Sequence, residues 1–257
     1  MKKIILFLIA LHFLLPTAYG FVVLIDPGHG GEEYGAVSDL QLKNSKGKLY
    51  TQKIYEKDLC LRLAKKVKAY LDRHFTTYLT RSFDRKVKLE DRANMADTVK
   101  ADLFISIHFN SARDKISNGF ETYYLDNHKD VAIKKVEDIE NKDLSGDDKI
   151  INQILIDIVI EKTVSSSKKL ADYIHGNLNE MISKKFKMKN REIKPGLFYV
   201  LALSKRPGVL VEAGFMSNPK EIKKISSDKY LDAYAKAIGT GVIKYYKTLP
   251  KKDLPLF

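Results

Sequence analysis

Apolar positions along this chain fall into two recurring forms, short continuous runs and helix-spaced stripes. Phe21 to Ile25 is a continuous run ended by Asp26-Pro27-Gly28, which predicts a buried strand entering a tight loop. From Ile54 to Arg73, the apolar residues Leu59, Leu63, Val67, Tyr70 and Leu71 share one helical face, with lysines opposite. Thr76 to Thr80 reads as a strand, Leu89 to Val99 as a helix and Leu103 to Ile107 as a buried strand. Phe120 to Leu125 is a further β-like segment after the Asn118-Gly119 turn signal. The pattern resumes with a helix around Ser167 to Lys184, strands at Leu197 to Leu201 and Val209 to Val211, and an amphipathic helix from about Tyr230 to Tyr246. Strands alternating with helices of this length imply a single α/β domain whose mostly parallel sheet is covered by helices on both faces.

Between Asp126 and Ser165 the pattern breaks. A charged stretch, HKDVAIKKVEDIENKDLSGDDK, leads into IINQILIDIVI, which is apolar on nearly every side. Long connections are uncommon in compact domains, and those that occur tend to be functional or disordered. Segment 127–165 therefore has two readings: a lid or regulatory insert, or one more core helix with a solvated lead-in. At the amino terminus, Lys2 and Lys3 precede an apolar run from Ile4 to Leu15, and Ala18 and Gly20 supply small residues before a cut near Phe21. That run is shorter than the roughly 20 residues a spanning helix needs. Residues 1–20 are expected to be a cleaved export signal, with an uncleaved membrane anchor as the alternative, and 21–257 to be one catalytic domain without a transmembrane span.

About 237 residues then remain, ample for a well-buried core. Hydrophobic residues at 44% and charged residues at 30% fit a globular protein. The formal charge of +13 would fall to roughly +11 on cleavage, and a basic exported protein is drawn to anionic material such as cell-wall polymer or a lipid surface. Aromatic residues are not interleaved with arginine, so nucleic-acid binding has no motif behind it. Cys60, the only cysteine, can form no internal disulfide. Its place among helix-spaced apolar residues marks it as a small buried hydrophobe rather than a catalytic thiol.

Candidate chemistry sits where apolar runs end. His29 follows VVLIDPG, His108 follows LFISI, and Glu212 closes VLVE; strand ends are where open α/β sheets assemble sites. In DPGHGG the proline and glycines let the backbone turn sharply while His29 projects, and the spacing matches neither G-x-G-x-x-G nor a P-loop. His108 precedes Phe109, Asn110 and Ser111 at a second strand end. His29 alone reads equally well as a structural residue, and His108 alone reads as a histidine satisfied by a backbone carbonyl; two at equivalent strand ends favour a metal. Glu56, at the first turn of its helix, suits the helix dipole and also completes a three-ligand set that leaves one position of a Zn²⁺ ion open for water. A carboxylate at Glu212 is costly in a strand unless it is paired or faces a site, and it fits a general base. His74, His128 and His175 are expected at surface or capping positions.

The segments DPGHGG, YEKDL with Glu56, TRSFDRKVKLEDRANMADTVKADLFISIHFNS, GFETYYL, GLFYVL and VLVEAGFMSN resemble, in order and over nearly the whole mature chain, the zinc-dependent N-acetylmuramoyl-L-alanine amidases of bacterial cell-wall turnover. The resemblance implies a six-stranded, phosphorylase/hydrolase-like α/β sheet, one Zn²⁺ held by His29, Glu56 and His108, and Glu212 as the catalytic glutamate. It implies cleavage of the amide between the lactyl group of N-acetylmuramic acid and L-alanine of the peptidoglycan stem. IENKDLSGDDKIINQILIDIVIEKTVSSS is similar to the insert of the periplasmic division amidases, in which a glutamate blocks the zinc until a LytM-type activator protein withdraws it. That similarity implies a regulatory Glu140 acting as a removable fifth ligand, a lid-packing or partner-facing helix over Ile150 to Ile160, a periplasmic location and a role in daughter-cell separation. The chain departs from the family in a long His29 to Glu56 interval, where LQLKNSKGKLYT is expected as an extra loop, and in Asn110, where the regulated subgroup often carries aspartate. No wall-targeting domain is expected ahead of the catalytic one. Two competing functions use the same residues differently: a zinc peptidase acting within the stem peptide, and a catalytically silent wall-binding or activator protein for which Glu212 is dispensable.

Overall fold

The computed structural model describes residues 20–141 and 148–250, the side chains of 148–155 excepted; the expected export signal lies outside the described residues. Six strands, β1 (Val22–Pro27), β4 (Thr76–Leu79), β5 (Leu103–Asn110), β6 (Phe120–Leu125), β7 (Asn190–Gly196) and β8 (Gly208–Phe215), form one sheet in the order β4-β1-β5-β8-β6-β7. The pairs β4/β1, β1/β5, β5/β8 and β6/β7 are parallel, and only β6/β8 is antiparallel. Two further strands, β2 (Val37–Lys43) and β3 (Leu49–Tyr55), make a separate antiparallel hairpin.

Central strands buried on both faces alternate their contacts. Val23 and Ile25 of β1 pack into one apolar cluster with α1 (Glu56–Leu71), the carboxyl-terminal half of α4 (Asp148–Leu178) and α8 (Asp228–Tyr246). Val22 and Leu24 face the other cluster, with α2 (Leu89–Thr98), α6 (Tyr199–Ser204), Ile133 of α3 (Val131–Glu140), and Ile156 and Val159 of α4. This period of two decides where chemistry appears, because Asp26, Ser106, His108 and Glu212 continue the second face toward the carboxyl ends of β1, β5 and β8. A π-helical turn (Asn179–Ser183), the single turn α5 (Lys184–Phe186) and α7 (Pro219–Ile225) complete the layers. Cys60 is fully buried, and burial pushes its thiol well above the usual range. Among the described residues no helix is long and apolar enough to cross a membrane.

Several local expectations need correction. Leu197 to Leu201 is not a strand: its apolar residues open α6, and the strand is the polar segment NREIKPG just before it. As the edge strand, β7 lacks the apolar run of a central strand, and its Pro195 is tolerable there. The expected extra loop between His29 and Glu56 is the β2/β3 hairpin, with Leu40 buried against the main core. His175 is buried rather than superficial, held between Thr122 Oγ1 and Asn190 Oδ1 at 2.9 and 2.7 Å. Segment 127–165 forms α3, which lines the site through Val136, Ile139 and Glu140, and the first part of α4, which runs on without interruption into the core.

Candidate metal centre

The loop that carries His29 is held by two buried arginines. Arg81, just after β4, donates to the carbonyls of Pro27, Gly28 and Lys57 at 3.0, 2.7 and 2.8 Å. Arg92 of α2 donates to Asp26 Oδ1 and Pro27 O, both at 2.8 Å, and to His29 O at 2.7 Å. Asp26 also accepts from Thr80 Oγ1 and Ser106 Oγ. Burial works to raise the Asp26 pKa, but Arg92 and Thr80 outweigh it and hold the carboxyl below its ordinary range. So restrained, His29 adopts φ 57°, a left-handed conformation uncommon outside glycine. Gly28 permits a close approach to the second histidine: a Cβ there would stand 2.3 Å from Cε1 of His108.

Removing the Asp26 carboxylate would leave the Arg92 guanidinium buried without its counter-charge. Asp26→Ala is therefore expected to cost about 3–5 kcal/mol, read as a fall in thermal midpoint of roughly 6–20 °C. A depressed carboxylate contributes its stability at and above the ordinary aspartate range and loses it as the pH falls through the lower native value. Melts in acid should thus separate native protein from Asp26→Ala least at the lowest pH, whereas a constant gap would count against the ion pair.

On this scaffold the separated ligands converge. Glu56 opens α1, and its Oε1 lies 3.0 Å from His29 Nε2 and 3.3 Å from His108 Nδ1. Its other oxygen accepts from the Ala36 amide at 2.8 Å, and Oε1 also accepts from Phe109 N, so the carboxylate is fixed from two sides. Glu140, the last residue of α3, brings Oε2 to 2.9 Å from His108 Nδ1 and 3.9 Å from His29 Nε2. One ligand atom from each of the four residues falls within 4.8 Å of the others. Ligands bonded to zinc at 2.0–2.2 Å stand about 3.3 Å apart in a tetrahedron, the scale seen here. Both imidazole nitrogens are buried and make no hydrogen bond of ordinary geometry, as lone pairs aimed at a shared cation would. The set is suited to hold a metal, and Glu140 lies beside the other three donors.

The electrostatics agree with a cation-seeking cluster. Burial opposes charge on both histidines, yet Glu56 and Glu140 hold the His29 pKa above its ordinary value and that of His108 well above it. Burial likewise opposes Glu56, and the two imidazoles override it and depress its pKa. Glu212 behaves in the opposite sense: burial first, then the Glu140 charge, raise it well above the usual range, with His108 opposing. It pairs in register with His108 across β5/β8, and its Oε2 is buried without a partner. A cavity of about 410 Å³ joins His29, Glu56, His108, Glu140 and Glu212.

Glu140 does not reach the site from a free loop. Glu137, one turn earlier and fully buried, accepts from the Leu197 amide and lies 2.5 Å from His128 Nε2. Asn141 donates to Leu197 O and accepts from Tyr199 N at 2.7 and 2.9 Å. Sequence reading assigned no role to Asp26, Arg81, Arg92, Glu137 or Asn141. An aspartate closing the apolar run VVLID was a usable signal for the first, since a charge there needs a partner. His128, expected at the surface, serves instead in the Glu137 anchor.

Comparison with known proteins follows the same residues. The family model described as N-acetylmuramoyl-L-alanine amidase matches residues 23–244. N-acetylmuramoyl-L-alanine amidase AmiA of Escherichia coli K12 is 30% identical over 235 residues, covering 88% of this chain and 76% of that protein. LytC of Bacillus subtilis is also 30% identical, over 89% of this chain, which spans only 36% of LytC. Among solved structures, the amidase AmiC2 of Nostoc punctiforme has a TM-score of 0.63 at 30% identity, covering 88% of this chain and 97% of that one. The amidase of Clostridium difficile 630 has a TM-score of 0.65 at 27% identity, covering 91% and 100%. A match spanning the sheet, both histidine loops and Glu212 means that this chain belongs to the N-acetylmuramoyl-L-alanine amidase family, enzymes that cleave the amide between N-acetylmuramic acid and L-alanine in peptidoglycan.

Proposed function

We propose that the chain performs this hydrolysis with one Zn²⁺ held by His29, Glu56 and His108, and that Glu212 is its general base and acid. The observation that carries the reading is the convergence of two buried imidazole nitrogens, neither in a hydrogen bond of ordinary geometry, and the Glu56 carboxylate beside the unpartnered Glu212 Oε2. Zinc in such a site supplies Lewis acidity for the scissile carbonyl and for water. Glu212 Oε2 takes a proton from the attacking water, and the same atom then delivers it to the departing L-alanine amine. Burial and the Glu140 charge raise the Glu212 pKa, the direction that lets a carboxylate hold a proton for the leaving amine. Arg81 and Arg92 hold the His29 loop in place.

Regulation and location belong to the same reading. Segment 127–165 is a self-inhibitory insert in which Glu140 occupies the position that water needs, until an activator protein of the LytM type withdraws α3. The apolar run that precedes Phe21 is an export signal, which places the enzyme at the periplasmic cell wall with roles in wall turnover and daughter-cell separation. Its positive charge favours the anionic polymer.

Mass spectrometry of digested peptidoglycan, with and without a chelator, tests the chemistry. With the unblocked Glu140→Ala protein, intact stem peptides with a free L-alanine amino terminus are expected, absent after chelation and restored by zinc. Cuts inside the stem would make the chain a peptidase, and activity indifferent to chelation would end the zinc reading.

A further inference from the structure

We propose that Tyr34 is a stacking platform for the sugar ring that bears the scissile amide, an inference that rests on the amidase reading above. Tyr34 lines the same cavity as His29, Glu56 and Glu212, yet it is 49% exposed. Its backbone is tied to the metal-binding helix: Tyr34 O accepts from Lys57 N at 3.2 Å, and two residues on, Ala36 N donates to Glu56 Oε2. Gly35 between them packs so closely that a Cβ would stand 2.5 Å from Glu56 Oε2 and 2.6 Å from His29 Cδ2. The tyrosine therefore sits at the rim of the ligand set by construction.

The ring is fixed as well as the backbone. Tyr55 packs against it with centroids 5.2 Å apart, and the Lys57 ammonium lies 4.8 Å from its centroid. Lys57 is itself immobilised by Gly31 O at 2.8 Å and Asp84 Oδ2 at 2.6 Å. An aromatic held this firmly has lost the side-chain freedom that would make its exposure cheap, and rigid exposed aromatic surface at a cavity mouth marks a binding face. Its chemistry selects the occupant. The substrate carries an N-acetylated hexose one short lactyl arm from the bond to be cut; such a ring offers an apolar C–H face to a tyrosine and polar edges to water.

The outward face of the hairpin continues the platform. Register pairs Val37 with Tyr55 and Asp39 with Lys53, so these four side chains project together. Val37 is 47% exposed beside Tyr55, and Lys53 is paired with Asp39 at 3.8 Å along the same face.

The test compares native protein with Tyr34→Phe, Tyr34→Leu and Tyr34→Ala by two measurements. In saturation-transfer NMR with the peptide-free disaccharide of N-acetylglucosamine and N-acetylmuramic acid, native protein and Tyr34→Phe should saturate the sugar ring protons, and the Leu and Ala variants should not. On soluble glycan strands carrying stem peptides, Tyr34→Ala should raise KM about five- to tenfold with kcat changed by less than about twofold. Absence of transfer in the native protein, transfer retained by Tyr34→Ala, or a loss confined to kcat would each overturn the platform. In the Glu140→Ala background, which removes the proposed block, transfer without release of stem peptide would overturn the amidase reading instead.

Discussion

Replacing Glu212 with glutamine is expected to lower amide hydrolysis by about 10²- to 10⁴-fold while metal content stays at one ion per chain. The substitution keeps the shape of a side chain that is 1% exposed and removes only its ability to carry a proton between water and the leaving amine. None of the three proposed ligands depends on Glu212 for position: Glu56 is fixed by Ala36 and Phe109, His29 by its arginine-held loop, and His108 by the β5 backbone. Turnover and metal content measured on the same preparation separate a lost base from a lost site. Unchanged hydrolysis would leave a silent binding protein as the surviving function, and lost metal would make Glu212 structural.

The second large effect has the opposite sign. Glu140→Ala should raise basal hydrolysis at least about tenfold, because it frees the fourth position of the cluster without touching the other three ligands. The three hydrogen bonds that join Glu137 and Asn141 with Leu197 and Tyr199 each favour the blocked arrangement by about 0.5–1.5 kcal/mol, enough together to keep an open form minor. The pH profile supplies a second reading. Glu212 must be deprotonated to act as base, so activity falls as the pH drops through its pKa. Glu140 is one of the charges that raise that pKa, and its removal should therefore move the acid limb of kcat/KM to lower pH. A rate that does not rise would end self-inhibition, and a rate that falls would make Glu140 a permanent ligand.

Strand ends were readable because central parallel strands are buried on both sides: VVLI, LFISI and VLV leave no other reading, and the polar residues that follow them stand out. The same logic failed at β7, where an edge strand needs no apolar run and Leu197 to Leu201 looked more extended than its neighbour. Glu56 was legible as an acidic residue opening a helix, but its distance from His29 hid a hairpin that antiparallel pairing alone reveals. Glu140 could be named only through the similarity of its segment to a known insert; no local pattern distinguishes it from the other acids of VEDIENKD. The arginine cradle stayed hidden for a different reason. Arg81 and Arg92 are recognisable as buried only once Pro27, Gly28 and His29 present three carbonyls to them, a property of tertiary arrangement rather than of spacing.

The path of α4 has a consequence for how such control can be lost. Ile156 and Val159 pack on one face of the sheet, Leu170, Ile174 and Leu178 on the other, and Ser167 accepts from the first amide of β8 in between. An appended gate can be excised by a clean deletion. Here the segment of the proposed gate and the scaffold share a spine, and cutting out 127–165 would shorten a beam that ties both layers together. Unregulated descendants of this enzyme would then arise by single changes at the tip of α3, and truncation of the whole segment would yield protein that fails to accumulate.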